Sequence, residues 1–196
     1  MVRLAADSGA RRGELAALQF ADLTGRVLRI ERSVSAEQVG QPKSGVGRSL
    51  TLGASTAMLW ARLHDEWHAR EAPHTLGPWV FSSDSLHEHR WTAGVLAHRF
   101  ARIRDQAQVT GASLHRLRHN VATFLVARGE ILQAQARLGH RDAATTLREY
   151  AYALPLSDGQ VADAINDHLD LPPLPHHDKI TNPVDRALQT LRNDDR

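Results

Sequence analysis

The sequence predicts a mainly helical α+β domain with one small three-stranded antiparallel sheet. Three observations lead there. Apolar residues recur at helical spacing through most of the chain after Ala54. Period-two alternation occurs near the N-terminal end, at Val27–Ile30 and again at Arg48–Leu52. Finally, capping residues and glycines divide the helical part into segments of ordinary length. At 196 residues and 42% hydrophobic content, the chain can bury one packed core. No internal repeat is visible.

Residues Val2 to Ser8 read as the end of a helix, stopped by Gly9. Gly13 to Phe20 reads as a second, short helix. Val27-Leu28-Arg29-Ile30 reads as a strand. The segment from Val39 to Leu52 reads as a hairpin turning at Ser44–Gly47, with Arg48, Leu50 and Leu52 alternating with Ser49 and Thr51. A long amphipathic helix is expected from Ala54 to Glu71, with Met58, Leu59, Arg62 and Leu63 at helical spacing. Pro73 to Pro78 reads as a loop, and Trp79-Val80-Phe81 as a short apolar segment. Thr92 to Ala107 is expected to be helical, with Leu96, Phe100 and Ile103 on one face. Ser113 can cap a helix running to Arg128. Ile131 to Leu138 ends at Gly139, and Asp142 can cap Ala143 to Tyr152. Ser157 can cap a last helix to about Leu169. The expected domain covers 1–170, and the Pro-rich run Leu171–His177 opens an acidic, flexible tail over 171–196. The four tryptophans read as core residues.

Composition narrows the function. There is no cysteine, which removes disulfides and thiolate metal sites. No long apolar run suggests a membrane span, and no signal peptide is recognisable, so a soluble cytoplasmic protein is expected. The net charge is +2, but it is unevenly spread. Residues 1–150 hold 20 Lys+Arg against 14 Asp+Glu, whereas 151–196 hold 4 against 8. A basic body with an acidic tail suits an anionic partner such as DNA, and suits equally a solvated surface rich in arginine.

Chemistry concentrates between Leu114 and Tyr150. This stretch reads L-H-R-L-R-H-N-V-A-T-F-L, then L-G-H-R-D, then A-A-T-T-L-R-E-Y. His115 and Arg118 lie three apart, His140 follows a glycine, and Tyr150 closes the run. Arginine and histidine donors suit an oxyanion whose charge is shared by several oxygens, which means a phosphate. A tyrosine among them suggests a nucleophile toward that phosphate. His115 and His119 are four apart on a helix, a spacing that permits metal binding, but the absence of a neighbouring carboxylate argues against zinc. His119 therefore reads as structural, and no metal or cofactor is expected.

These motifs resemble those of the tyrosine recombinases, or phage-type integrases. That family carries H-x-L-R-H-x-x-A-T, L-G-H and T-T-x-x-x-Y in this order. Its upstream T-G-x-R-x-G-E-L is similar to Ser8-Gly9-Ala10-Arg11-Arg12-Gly13-Glu14-Leu15 here. Its hairpin lysine corresponds to Lys43, ahead of Ser44-Gly45-Val46-Gly47-Arg48. The match spans roughly residues 3 to 152 and implies the family's catalytic-domain fold. It also implies DNA cleavage and rejoining through a 3′-phosphotyrosyl intermediate, as in DNA integration and excision. Arg11 and Arg118 would offset charge on the phosphate, with His115 and His140 as further hydrogen-bonding groups. Lys43 would be the general acid, Tyr150 the nucleophile, and Glu14 the brace of Arg11. The implied partners are double-stranded DNA and further copies of the chain, in a synaptic tetramer.

Taken singly, each of these residues has an ordinary explanation: a helix-start arginine, a turn lysine, a helix-end histidine, a core tyrosine. Order and spacing together carry the argument. The chain also departs from the family. The family's N-terminal core-binding domain is expected to be missing and the first catalytic helix to be truncated. Arg116 replaces a common aspartate, and Tyr152 stands where a histidine often follows the nucleophile. Two alternatives therefore stand beside recombination: type IB topoisomerase-like DNA relaxation, and a non-catalytic truncated DNA-binding remnant.

Overall fold

The computed structural model describes residues 1–69 and 76–154, with Gly159 and Ile165 beyond them. Helix α1, Val2–Ser8, stops at Gly9, whose φ of 63° is left-handed and costs glycine least. Helix α2, Arg12–Ala16, is shorter than the helix expected to Phe20. The chain instead re-enters a 3₁₀ turn at Phe20–Asp22, where Asp22 accepts a 2.8 Å bond from the Gln19 N–H.

Strands β1 (Leu23–Thr24), β2 (Val27–Ile30) and, later in the chain, β5 (Arg48–Thr51) form a three-stranded antiparallel sheet in the order β1-β2-β5. The expected Val39–Leu52 hairpin is not formed. Between β2 and β5 the chain makes a separate two-stranded ribbon, β3 (Ser33–Ser35) with β4 (Gln38–Gly40). β5 pairs with β2 instead, Leu28 opposite Leu50 and Ile30 opposite Arg48. The physical reason is burial: Leu28, Ile30 and Leu50 share the core face, and only the β2–β5 pairing puts them there together. The ribbon turns at Ala36 and Glu37, both at positive φ. That is I′-type geometry without the Asn-Gly or Asp-Gly that would announce it. Arg90 holds the turn by bonding the Glu37 carbonyl. On its other side the ribbon sits directly on α2, since a Cβ on Gly13 would lie 2.4 Å from the Val34 carbonyl oxygen.

Helix α3, Ala54–His68, ends before Glu71, and its buried face is not the one expected. Met58, Leu59 and Leu63 are exposed, while Thr56, Ala57 and Trp60 face the core. The difference comes from the aromatic residues: Trp67, two turns after Trp60, stacks on Phe20 at 4.6 Å and sets the helix's rotation. Trp79 and Ser82 make single bridges to Gln19 and Arg90 rather than a strand.

Helices α4 to α7 follow among the described residues. Helix α4 is Ala93–Gln106, capped by Thr92, with Leu96 and Phe100 buried and Ile103 exposed. Helix α5 is Leu114–Ala127, with Ser113 Oγ accepting from the Arg116 N–H at 3.1 Å. Helix α6, Ile131–Leu138, ends at left-handed Gly139. Helix α7, Ala143–Tyr150, is capped by Asp142 and gives way to a 3₁₀ turn at Ala151–Ala153, short of the expected end at Tyr152. One core cluster joins α1, α2, the sheet, α3 and α4. A smaller one joins Ala122, Val126, Ala134, Leu138 and Tyr150. All of this lies within one compact unit, Met1–Pro155. Of the helix expected from Ser157 to Leu169, Gly159 and Ile165 are described, both helical. The tail over 171–196 lies outside the described residues. Among the described residues no helix is long and apolar enough to cross a membrane.

Candidate active site

Three guanidiniums converge where the ends of α1 and α6 meet α2 and β5. Close backbone approach makes this possible: a Cβ on Gly9 would sit 3.1 Å from Leu138. Arg118, on the buried side of α5, donates to the carbonyls of Gly9 and Leu138, both at 2.7 Å. Arg11 reaches the same Leu138 carbonyl at 3.4 Å. Both arginines are thus held by backbone acceptors at fixed chain ends.

Glu14 is fully buried and is shared by two of the arginines. Its carboxylate accepts from the Arg11 backbone N–H at 2.7 Å and from Arg11 Nη1 at 3.2 Å. Arg48 binds it with both terminal nitrogens, at 2.9 and 2.8 Å, and uses Nε to reach the Arg137 carbonyl at 2.8 Å. Gly139 is needed at the α6 end for two reasons. Its φ is 65°, and a Cβ there would lie 2.9 Å from Arg48 Nη1. Arg137 in turn ties α6 to α1 through the Asp7 carbonyl and carboxylate.

Arg48 was missed as a site residue by the sequence reading. The signal was present, because its parity with Leu50 and Leu52 points it inward, and a buried arginine requires a carboxylate partner. Burial would raise the Glu14 carboxyl, but hydrogen bonding and charge from Arg48, then Arg11, outweigh it and hold the group below its ordinary value. Burial also lowers the Arg118 guanidinium to about 10, with Arg11 and Arg48 adding to the effect. It stays protonated at neutral pH. Among the described residues, Glu14 is bonded to two of the three guanidiniums, and Arg118 is held by backbone carbonyls alone, an excess of positive charge that an anion would offset.

The remaining candidates surround this cluster. His140 follows Gly139 and is half-buried. Its Nδ1 lies 2.8 Å from the buried Thr146 hydroxyl. Burial, then Arg118, push its pKa below the ordinary histidine value against Glu149, so the ring is neutral at pH 7. Tyr150 is 4% exposed and belongs to the smaller core. Burial and then the Glu149 carboxylate raise this phenol above its ordinary value, and the Arg118 charge counters them. His119 lies between the two tyrosines, its ring 5.0 Å from Tyr150 and its Nε2 2.9 Å from the Tyr152 hydroxyl. Tyr152 itself is exposed.

The structure thus brings together Arg11, Glu14, Arg118 and His140, with Tyr150 in the field of Arg118. It does not bring Lys43 or His115 into hydrogen-bond contact with them. Lys43 is exposed on the loop between β4 and β5, and His115 is exposed on the first turn of α5, one turn before Arg118.

The Glu14 pair makes a stability prediction. Glu14→Gln leaves the arginines without a counter-charge and is expected to destabilise the chain by about 3 kcal/mol at pH 7. Because the folded-state pKa is lowered, that contribution is present above the ordinary value of 4.5 and is lost as pH falls through the lowered one. Thermal unfolding of both proteins from pH 7 to pH 3 should show the gap closing at the acid end. A gap independent of pH would rule out the ion pair as its source.

Comparison with known proteins gives consistent results. The profile of the Phage integrase family matches residues 1–155. No curated protein matches the chain. Among solved structures, an integrase of transposon Tn1549 bound to transposon right-end DNA is similar, with TM-score 0.65 and 18% identity over 86% of this chain. XerA recombinase is similar at TM-score 0.59 and 21% identity over 84%. The catalytic domain of bacteriophage HP1 integrase is similar at TM-score 0.54 and 18% identity, over 88% of this chain and 83% of that one. The chain spans 57% of the Tn1549 integrase chain in that structure, which comprises its residues 82–397, and 55% of the XerA chain. At these identities the likeness is one of fold.

Proposed function

From the premise that the chain belongs to the phage integrase family, we propose that this domain cleaves and rejoins DNA through a 3′-phosphotyrosyl intermediate. The observation that carries the reading is the cluster of Arg11, Arg48 and Arg118 around the single carboxylate of Glu14. Such a cluster attracts an anion, and planar guanidiniums suit phosphate oxygens. The proposed partners are double-stranded DNA and further copies of the chain bound to it.

In this mechanism Arg11 and Arg118 hold the non-bridging oxygens of the scissile phosphate. Arg48 and Glu14 keep Arg11 in place. His140 donates from Nε2 as a neutral ring. The Tyr150 hydroxyl loses its proton, to His115 or to water, and attacks phosphorus. As the new P–O bond forms, the bond to the 5′-oxygen breaks, and Lys43 gives that oxygen its proton. Resealing is the reverse: a 5′-hydroxyl attacks the phosphotyrosine, and Tyr150 leaves as the phenol. The energy of the phosphodiester is kept in the covalent link, so no nucleotide is consumed. Burial and Glu149 keep Tyr150 protonated in the DNA-free chain.

The test is a covalent adduct. The chain is incubated with a pool of nicked duplexes of randomised sequence, and protein-linked DNA is resolved on a denaturing gel. An adduct stable to denaturant but removed by protease is expected. DNA binding without any adduct would overturn the catalytic reading in favour of a binding remnant. Binding itself should be dominated by phosphate contacts. For about five such contacts, affinity is expected to fall roughly a hundred- to a thousandfold between about 50 and 200 mM salt. A flat salt dependence in a filter or anisotropy titration would contradict that.

A further inference from the structure

Away from the arginine cluster, the C-terminal end of α3 carries a second group of chemistry-bearing side chains. His64 and His68 are one turn apart, and their Nε2 atoms lie 3.1 Å from each other. Two neutral imidazoles can meet this way through one shared proton. A metal ion held about 2.0–2.1 Å from each nitrogen would subtend an angle of about 100°. That falls between octahedral and tetrahedral geometry, so the nitrogen separation suits a chelate, and turning the two rings, whose centroids lie 4.3 Å apart, brings both nitrogens to bear on one ion.

The rings are also held in place. Trp67 stacks on Phe20. His64 packs edge-on to Phe20 at 6.1 Å, and His68 edge-on to Trp67 at 4.5 Å. The aromatic cluster thus restricts the rotamers that a chelate would otherwise have to freeze. His68 is exposed and His64 half-buried, which leaves coordination positions open to water. The contrast with His115 and His119 is instructive. That pair has the same spacing, but His119 is engaged by Tyr152.

We propose that His64 and His68 form a surface chelate for a late first-row divalent cation such as Zn²⁺ or Ni²⁺. Imidazole ligands favour these ions over Mg²⁺ and Ca²⁺. No group of three or more His, Cys, Asp or Glu side chains among the described residues is arranged to hold a metal. The site is therefore a two-ligand one, completed by water. It lies about 20 Å along α3 from the end that meets α1, so its role is to clip the last turn of the helix and not to join the chemistry at Arg11. The inference does not depend on the DNA reading.

Trp67 provides a local reporter. Titrating the full chain with Ni²⁺, a paramagnetic ion, is expected to quench tryptophan fluorescence saturably, with one ion bound per chain at this pair. Zn²⁺ should compete and Mg²⁺ should not. His64→Gln and His68→Gln should each weaken the saturable phase by about tenfold or more. Zn²⁺ should raise the Tm of the wild-type chain, and neither variant should show that rise. Trp67→Phe should lose most of the quenching while equilibrium dialysis still shows the bound ion. His68 is exposed, so its variant is expected to match the wild-type Tm without metal. Saturable quenching that survives His68→Gln, or equal binding by both variants and the wild type, would place the metal elsewhere and overturn the proposal.

Discussion

Tyr150→Phe is expected to abolish covalent attachment to DNA while leaving DNA binding intact. The substitution removes one hydroxyl from a ring buried among Ala122, Val126, Ala134 and Leu138 and keeps its packing. The arginine cluster does not use that hydroxyl as a hydrogen-bond partner, so phosphate binding should persist. Tyr152→Phe is the control. Tyr152 is 67% exposed and bonded to His119. It should keep attachment, with at most a modest loss from freeing the His119 ring. Trapping on a nicked duplex, followed by mapping of the modified peptide, distinguishes the two. An adduct on Tyr152 would reverse the assignment. The charge of Arg118 favours the Tyr150 phenolate, which supports Tyr150 as the residue attached.

Lys43→Ala is expected to slow cleavage of ordinary DNA by roughly a hundred- to ten-thousandfold, the range of a lost general acid. Lys43 is exposed on the loop that leaves β4, so its removal should not disturb folding. A sulfur in place of the bridging 5′-oxygen leaves without needing a proton. On that substrate the Lys43→Ala rate should recover most of its loss. Arg118→Ala should not recover, because its deficit is charge on the non-bridging oxygens. Removing Arg118 also takes a 2.7 Å donor from each of the Gly9 and Leu138 carbonyls. Its Tm must therefore be measured alongside its rate. Equal responses of the two variants to sulfur would exclude Lys43 as the acid and point to His115 or Arg11.

Much of the fold was legible because local signals and burial agree. Ser113 and Asp142 cap α5 and α7 as their side chains require, and Gly9 and Gly139 stop α1 and α6 in left-handed conformations. Val27–Ile30 shows its alternation openly. Where the reading failed, local and tertiary preferences diverged. The β3–β4 ribbon turns on Ala36 and Glu37, neither of which advertises positive φ. It is held there by Arg90, more than fifty residues away. The face of α3 was misread because Met58, Leu59 and Leu63 are apolar at helical spacing. Phe20, in a distant turn, recruits the Trp67 side instead.

By itself the sequence determined which residues carry charge and chemistry, in what order, and on which elements. Motif order along the chain is a local property, and the family resemblance it carries singles out Arg11, Glu14, Arg118 and His140 as candidates. Tertiary structure alone decided what those residues share. One carbonyl, that of Leu138, serves both Arg11 and Arg118, and one carboxylate, that of Glu14, serves both Arg11 and Arg48. Protonation also belongs to the folded state. Tyr150 is pushed up and His140 pushed down by burial first and then by charges from other elements. Desolvation and Coulomb interaction depend on distance in space, which spacing along the chain does not encode.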